Sequence, residues 1–263
     1  MHRPRKRFGQ NFLHDSAVIR RIVSVIAPTR GEHLVEIGPG HGAITTELLK
    51  AAGRLDAVEL DRDLIAPLMR KCADLGELRV HCADALTFDF CSLAAPDARL
   101  RITGNLPYNI STPILFHLLA QRRCLDDLHF MLQKEVVTRM AASPGGRAYG
   151  RLSVMLQAYF EVTALFEIGR NAFRPVPRVE SSFVRLVPYV EPPIPIAHPE
   201  SFAHVVTKAF GQRRKTLRNS LKGVLPVEAI AELDIDPGAR AEQLDVRDFA
   251  RLAQQAWKTG QAP

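Results

Sequence analysis

The sequence predicts an α/β fold, an open, doubly wound and mostly parallel sheet with an antiparallel hairpin at one edge, followed by a small α-helical C-terminal domain. Three observations lead to this prediction. Short apolar runs alternate with helical stretches, a glycine-rich turn follows the first strand-like run, and five prolines lie within residues 188–199 ahead of a mostly helical end. Such alternation is typical of parallel strands joined by right-handed helical crossovers.

The first predicted element is a helix behind a basic N-terminal arm. Asp15 or Ser16 can cap it, and apolar side chains follow at helical spacing until Pro28. Strands and helices then alternate. The predicted strands are His33–Ile37, Leu55–Leu60, Leu78–His81, Leu100–Thr103 and His129–Leu132. The predicted helices are Ala43–Ala52, Leu64–Ala73, Pro113–Gln121 and Lys134–Ala142. Two later strand-like runs, Val162–Ile168 and Phe183–Val187, have no long helix between them, so we expect them to form the edge hairpin.

The five prolines predict a domain boundary near residues 190–198. We expect an α/β domain over residues 1–190, which includes the basic arm, and a helical domain over residues 198–263. The helices predicted for the second domain are Phe202–Phe210, a basic helix around Arg213–Lys222, Val227–Leu233 and Val246–Trp257.

The formal net charge of +7 is concentrated in two stretches that contain no acidic residue. The first holds Arg3, Arg5, Lys6 and Arg7, and the second, residues 203–222, holds Lys208, Arg213, Arg214, Lys215, Arg218 and Lys222. The remaining 25 basic and 28 acidic residues leave the rest of the chain at −3. Two basic patches on a slightly acidic body indicate a polyanionic partner; the alternative is that each is a solvated face.

The composition excludes several classes of protein. The basic start has no apolar stretch behind it, so we expect no secretory signal, and no run approaches the roughly 18 apolar residues of a membrane span. Cys72, Cys82, Cys91 and Cys124 form no C-x-x-C pair, and we expect reduced cytosolic thiols rather than disulfides or a zinc site. The nine histidines contain no H-E-x-x-H motif. We therefore expect a cytoplasmic protein with no metal ion.

A glycine loop and two acidic residues predict a nucleoside-containing cofactor. Gly38, Gly40 and Gly42 follow the first strand of the sheet and open a helix, where glycine lets the backbone approach a ligand closely. Glu59 ends the second strand, where a carboxylate can accept both ribose hydroxyls, and Asp84 follows the third, near an expected adenine edge. Dinucleotides use a similar loop. Two carboxylates suit a cationic ligand better, which favours S-adenosylmethionine over NAD.

The tetrapeptide Asn105-Leu106-Pro107-Tyr108 ends the fourth strand. An exocyclic purine amine is a poor nucleophile, because its lone pair is delocalised into the ring. Hydrogen bonds to the Asn105 side-chain oxygen and the Leu106 carbonyl would hold the amine closer to tetrahedral, and Pro107 fixes the chain so that this carbonyl turns inward. Tyr108 can stack on a base drawn out of its helix. The alternative interpretation is a turn that merely ends the strand.

Together these segments resemble the ribosomal RNA adenine dimethyltransferase family over nearly the whole chain. The segments that carry the resemblance are Gln10–Leu13, Val35–Gly40, Glu59–Asp61, Asp84–Ala85, Gly104–Asn109, Met131–Val136, Tyr149–Ser153, Phe173–Ser181 and Ala209–Lys215. The resemblance implies a class I, Rossmann-like S-adenosylmethionine-dependent methyltransferase whose helical domain binds ribosomal RNA. Its implied substrate is the N6 amine of two adjacent adenosines in the loop of the 3′-terminal hairpin of 16S rRNA. That RNA would lie within an immature small ribosomal subunit, and the enzyme would act as a monomer.

The resemblance also implies roles for individual residues. The residues that it implies contact the cofactor are Asn11, Leu13, Gly38, Glu59, Asp84 and Asn105. Phe173 would form the second aromatic wall of the target pocket, opposite Tyr108; its alternative is a core phenylalanine. Neither histidine nor an unpaired carboxylate falls inside the Asn105–Tyr108 motif, so no general base is assigned.

Three other functions stay open from the sequence. A large-subunit (23S) adenine methyltransferase of the macrolide-resistance type is the nearest, and the tail Ala209–Lys215 favours the small-subunit type over it. A non-catalytic rRNA-binding assembly factor would keep the fold without the chemistry. An NAD-dependent oxidoreductase would bind nicotinamide and no RNA.

Overall fold

A seven-stranded sheet organises the α/β part of the chain, as seen in a computed structural model that describes residues 11–96, 98–212 and 214–261. Its strands are β2 (His33–Ile37), β3 (Arg54–Glu59), β4 (Glu77–Cys82), β5 (Leu100–Asn105), β6 (Leu125–Gln133), β7 (Phe160–Ile168) and β9 (Ser181–Pro188). A separate antiparallel pair consists of β1 (Phe12–Leu13) and β8 (Phe173–Arg174). In space the large sheet runs β4-β3-β2-β5-β6-β9-β7.

Most of the sheet is parallel, as the alternation of strands and helices predicts. Strand β2 pairs in parallel with β3 and β5, β3 with β4, and β5 with β6. Strand β9 pairs antiparallel with β6, with Leu128 opposite Leu186, and β7 lies beyond it at the edge. The predicted fold class, with its antiparallel edge, is confirmed.

Ten α-helices lie between and after these strands in the described part of the chain. Their bounds are α1 (Ser16–Ile26), α2 (Thr45–Ala52), α3 (Arg62–Cys72), α4 (Ser111–Ala120), α5 (Lys134–Met140), α6 (Arg151–Gln157), α7 (Pro199–Phe210), α8 (Leu217–Ser220), α9 (Val227–Ala231) and α10 (Val246–Lys258). Helix α1 is capped by Asp15, whose carboxylate accepts from the N–H groups of Ala17 and Val18, and it buries Ile22 and Ile26. Such capping satisfies N–H groups that have no partner within the helix.

The described chain forms two compact units, and they differ from the predicted division at residues 190–198. Residues up to Val137 group with Thr163–Pro188, and Thr138–Val162 groups with the residues from Tyr189 onward. Within this second unit, the ring of Tyr159 packs edge-on against Phe202, and the N–H of Gly145 donates to the oxygen of Glu242 at 2.7 Å. The segment 138–162 thus supplies an aromatic contact and a backbone bond to the helical unit, which its linear position did not indicate.

The basic helix predicted around Arg213–Lys222 is largely wrong. Only the four residues of α8 are helical there, and Arg213 lies outside the described residues. The backbone N–H groups of Leu217 and Arg218 donate to the oxygens of Ala239 and Pro237 instead of to their own preceding turn. Because these N–H groups pair with a distant segment, the helix does not begin before Leu217.

The cysteine prediction is wrong for one pair. Cys91 and Cys124 form a disulfide, whereas Cys72 and Cys82 are free thiols. The side chain of Gln121 accepts from the N–H groups of Phe90 and Cys91 and so holds the two cysteine-bearing turns together. A separation of 33 residues with no motif gave no sign of this proximity. Among the described residues, no helix is long and apolar enough to cross a membrane.

Candidate active site

The carboxyl ends of β2, β3, β4 and β5 surround a cleft of about 290 Å³. Open α/β sheets bind ligands at this edge. Its lining comes from the start of the described chain and from the segments that follow these strands, including residues 11–13, 36–41, 58–61, 83–86 and 105–110. The structure brings every predicted site residue to this cleft except Phe173.

The glycine loop after β2 takes a conformation that requires glycine. Gly38, Gly40 and Gly42 all have positive φ, at 66°, 57° and 72°. A Cβ on Gly42 would lie 2.6 Å from Leu68 Cδ1 of α3, whereas a Cβ on Gly38 would meet nothing within 4 Å. The loop is therefore packed tightly on its helix side and open at Gly38, where a ligand can approach the backbone.

Lys71 of α3 holds this loop in place through hydrogen bonds, a role that the sequence did not predict. Its ammonium donates to the main-chain oxygens of His41 at 2.9 Å and Gly42 at 3.1 Å. The contact spans about 30 residues of sequence. No local pattern inside a predicted helix could reveal it.

Two buried carboxyl groups lie at the base of the cleft. Glu59 accepts from the N–H of Gly40 at 3.2 Å and from the N–H of Asp61 at 2.8 Å, so it ties the glycine loop to the end of β3. Glu36, on β2, is 2% exposed, and its Oε2 has no hydrogen-bond partner among the described residues. Burial, with the nearby Glu59 carboxylate, raises the pKa of Glu36 to about 7, and burial also raises the pKa of Glu59.

Asp84 differs from these two groups because its side chain is exposed at the cleft margin. Its carboxylate accepts from the N–H of Leu86 at 2.9 Å. This bond shapes the turn after β4 and leaves further acceptor capacity on the carboxylate. The structure thus places Asp84 on the lining of the cleft, and its contact with a ligand stays a prediction.

The Asn105–Tyr108 motif begins where β5 ends. Gly104 lets β5 pack on β2, since a Cβ there would lie 2.5 Å from the oxygen of Ile37. The side chain of Asn105 donates to the oxygen of Asn11 at 2.8 Å, and the N–H of Leu106 donates to the oxygen of Met131 at 3.2 Å. The motif is thus tied to the arm on one side and to β6 on the other.

Tyr108 is positioned from the start of β9. Its hydroxyl lies 2.9 Å from Oγ of Ser181, which is fully buried, and burial raises the pKa of the phenol. The ring remains part of the cleft lining. Ser181 is a second residue that the sequence did not single out, although the shared segment Phe173–Ser181 ends on it.

The comparison with known proteins decides the family. The family described as "Ribosomal RNA adenine dimethylase" matches residues 1–258. The chain belongs to this family. Two of its relatives are the proteins named "Ribosomal RNA small subunit methyltransferase A" of Pseudomonas aeruginosa and of Hahella chejuensis. The first is 54% identical over 97% of this chain and 95% of its own length, and the second 55% over 96% and 92%.

Solved structures agree on the fold of this adenine dimethylase. A dimethyladenosine transferase from Plasmodium falciparum superposes with a TM-score of 0.81 at 24% identity, over 95% of this chain and 99% of its own. The 23S rRNA methyltransferase ErmE superposes with a TM-score of 0.73 at 26% identity, over 93% and 99%. The fold is that of the class I methyltransferases.

Phe173 is buried in the apolar core of this adenine dimethylase. It is 1% exposed, does not line the cleft, and pairs across β1 and β8 with Leu13. Its ring belongs to an apolar cluster that includes Met131 and Phe183. This core position agrees with the alternative interpretation, and a contact between Phe173 and the target base stays a prediction.

Proposed function

We propose that this adenine dimethylase transfers methyl groups from S-adenosylmethionine to the N6 amines of two adjacent adenosines in 16S rRNA. The substrate in this proposal is the loop of the 3′-terminal hairpin, within an immature small ribosomal subunit, and the enzyme acts as a cytoplasmic monomer. One observation carries the proposal. A single cleft holds the glycine loop, Glu59 and the Asn105–Tyr108 motif in a chain 54% identical to small-subunit methyltransferases.

The residues of the cleft fit an adenosyl cofactor with a cationic group. Open space at Gly38 admits a ligand against the backbone, and the buried Glu59 carboxylate keeps lone pairs for ribose hydroxyls beside its two backbone bonds. The exposed Asp84 adds negative charge on the same lining, and the unpartnered Glu36 Oε2 adds a further hydrogen-bond acceptor. Asn11, Leu13, Gly38, Glu59, Asp84 and Asn105 would hold the cofactor. When bound, S-adenosylmethionine supplies an electrophilic methyl group on a sulfonium.

The contact between Asn105 and Asn11 orients the amide that would receive the substrate amine. Since Nδ2 already donates to the oxygen of Asn11, Oδ1 is the atom left to accept a hydrogen bond. Leu106 would offer its carbonyl as a second acceptor, and Pro107 restricts the backbone that presents it. Accepting from both amine hydrogens favours a tetrahedral nitrogen with a free lone pair. After one transfer, the remaining hydrogen still finds an acceptor, which permits a second methylation.

Tyr108 supplies the stacking surface in this proposal. Its hydroxyl is fixed on Ser181, so the ring loses little conformational freedom when a base stacks on it. Positioning and desolvation then account for much of the catalysis. No side chain is assigned as general base, and the amine proton leaves to water.

The large-subunit type is the second candidate within the family. The identity of 26% to the 23S rRNA methyltransferase, against 54–55% to the small-subunit relatives, favours the small-subunit substrate. The test is methyl transfer from labelled cofactor to small and large ribosomal subunits that lack the modification. We expect label in the small-subunit RNA; label in the large-subunit RNA alone would replace the proposal with the second candidate.

A further inference from the structure

The second unit contains a cleft of about 310 Å³ to which the proposed chemistry assigns no role. One wall is the segment 193–198, which begins with the apolar residues Pro193, Ile194 and Pro195. The other wall is helix α10. Because proline restricts the backbone, the first wall is stiff before any ligand binds.

Helix α10 has two faces with different compositions. Its buried face packs Phe249, Leu252 and Ala256 into the unit. The cleft face carries Arg247, Arg251 and Gln254, spaced four and then three residues apart, so that they share one side of the helix. A cationic and amide-bearing stripe therefore follows the whole length of the cleft wall.

The charge of this stripe is incompletely compensated. Arg251 donates through Nη2 to Asp248 at 2.7 Å, and its Nε is buried without a partner in the part of the chain that the structure describes. Arg247 is exposed and makes no ion pair or hydrogen bond with any described residue. The cleft thus presents the Arg247 guanidinium without an ion-pair partner among the described residues. A guanidinium can donate two parallel hydrogen bonds to one phosphate group.

An aromatic platform continues the same stripe. The indole of Trp257 stacks on the imidazole of His198, with ring centroids 3.7 Å apart and an interplanar angle of 10°. His198 itself lines the cleft, and Trp257, three residues beyond Gln254, is 48% exposed. An indole that is held flat yet open to solvent is the type of surface on which unpaired bases stack.

We propose that this cleft is a second RNA-binding site, in which Arg247 contacts a phosphodiester and the Trp257–His198 pair stacks an unpaired base of the same strand. The inference rests on the proposed function for the identity of the polyanion. Phosphate contacts and stacking are the two sequence-tolerant components of single-strand recognition, and both lie here on one helix face. An apolar peptide would leave the Arg247 charge uncompensated, so the unpaired cation favours RNA as the occupant.

The test measures binding of an unmethylated 16S rRNA transcript to the full chain, without cofactor, over a range of salt concentrations. The variants are Arg247→Gln, Trp257→Leu and Trp257→Phe. Arg99→Gln is the matched control, because it removes the same charge from an exposed position just ahead of β5, at the opposite end of that strand from the catalytic cleft. Cofactor affinity and thermal unfolding are measured on each variant, and none of these residues lines the catalytic cleft.

We expect Arg247→Gln to weaken RNA binding. The slope of log K against log salt concentration should become shallower by about 0.7–0.9. Trp257→Leu should weaken binding roughly 10-fold with the slope unchanged, and Trp257→Phe should restore most of the affinity. Wild-type affinity and slope in both Arg247→Gln and Trp257→Leu would overturn the site. So would a loss seen only with intact subunits and not with the transcript, since the occupant would then be a ribosomal protein.

The outcome separates this inference from the proposed function. If the wild-type chain binds RNA through this cleft but transfers no methyl group, the proposed function fails and the RNA site stands. If methyl transfer proceeds and the cleft variants bind the transcript normally, the RNA site fails alone.

Discussion

Asn105 is held in one orientation by a neighbour 94 positions earlier in the chain. Its Nδ2 donates to the main-chain oxygen of Asn11, so the amide oxygen is the free end. Asn105→Ala removes both the acceptor and this tie to the arm. We expect turnover to fall by about 10²-fold or more, because a lost positioning group slows the chemical step, while cofactor affinity falls less.

Asn109→Ala is the matched control for that variant, since Asn109 is exposed on the same cleft lining but lies outside the Asn105–Tyr108 motif. Single-turnover methyl transfer and calorimetric titration with the cofactor separate the two effects. Near-normal turnover in Asn105→Ala would remove Asn105 from the mechanism.

Glu36 makes stability depend on pH. Burial and the Glu59 carboxylate raise its pKa from 4.5 to about 7, so folding favours the protonated form. Its stabilising contribution is complete below pH 4.5 and is lost as the pH rises through about 7. Glu36→Gln cannot ionise, and above pH 7 it should be more stable than the wild type by on the order of 3 kcal/mol.

Urea unfolding of the cofactor-free protein at pH 5 and pH 8 measures this difference. The same substitution at the exposed Glu191 controls for the loss of one charge. A gap between wild type and Glu36→Gln that stays constant over this range would show that Glu36 is ionised throughout.

At the scale of elements, Gly104 decides how closely β5 approaches β2. A Cβ would sit 2.5 Å from the oxygen of Ile37, so Gly104→Ala must displace one of two central strands. We expect the free energy of unfolding to fall by about 1–3 kcal/mol, as for an overpacked core, and methyl transfer to fall with it because Asn105 moves. Gly169→Ala is the control, since nothing lies within 4 Å of its Cβ and its φ is −65°. Equal stability of the two variants would contradict this account of the β2–β5 contact.

Elements with strong local patterns were predictable from the sequence. Helix α10 and strand β2 lie within one residue of their predicted bounds, because side-chain periodicity and nearby caps or glycines determine them locally. Elements that depend on distant partners were not. The two-residue strands β1 and β8 exist only through each other, and the helix expected at Arg213–Lys222 is reduced to α8 by bonds to residues 237–239.

The same distinction holds within the site. Gly38, Glu59, Asp84 and Asn105 each follow or end a strand, so the topology alone brings them to one edge. Lys71 and Ser181 act through single contacts between elements, which no spacing in the sequence encodes. Phe173 is a motif residue that is 1% exposed, and its place in the target pocket stays a prediction.

At the scale of the whole molecule, the basic excess should govern the affinity for RNA. Arg214 and Lys215 are exposed in the second unit, whereas Arg5, Lys6 and Arg7 lie outside the described residues. Neutralising Arg214 and Lys215 together should flatten the salt dependence of RNA binding by about two units, with turnover at saturating substrate nearly unchanged. The same double change at Lys50 and Arg79, which form ion pairs in the other unit, is the control. If the salt dependence of RNA binding is unchanged, Arg214 and Lys215 belong to a solvated face that does not contact RNA.

The most direct measurement is the nucleoside composition of small-subunit RNA from a strain that lacks its own adenine dimethylase and expresses this chain. Mass spectrometry of mapped fragments distinguishes unmodified, singly and doubly methylated adenosine. We expect two adjacent N6,N6-dimethyladenosines in the 3′-terminal hairpin loop, and their loss when Asn105→Ala is expressed instead. Unmodified adenosines at both positions, with the wild-type chain folded and binding S-adenosylmethionine, would contradict it.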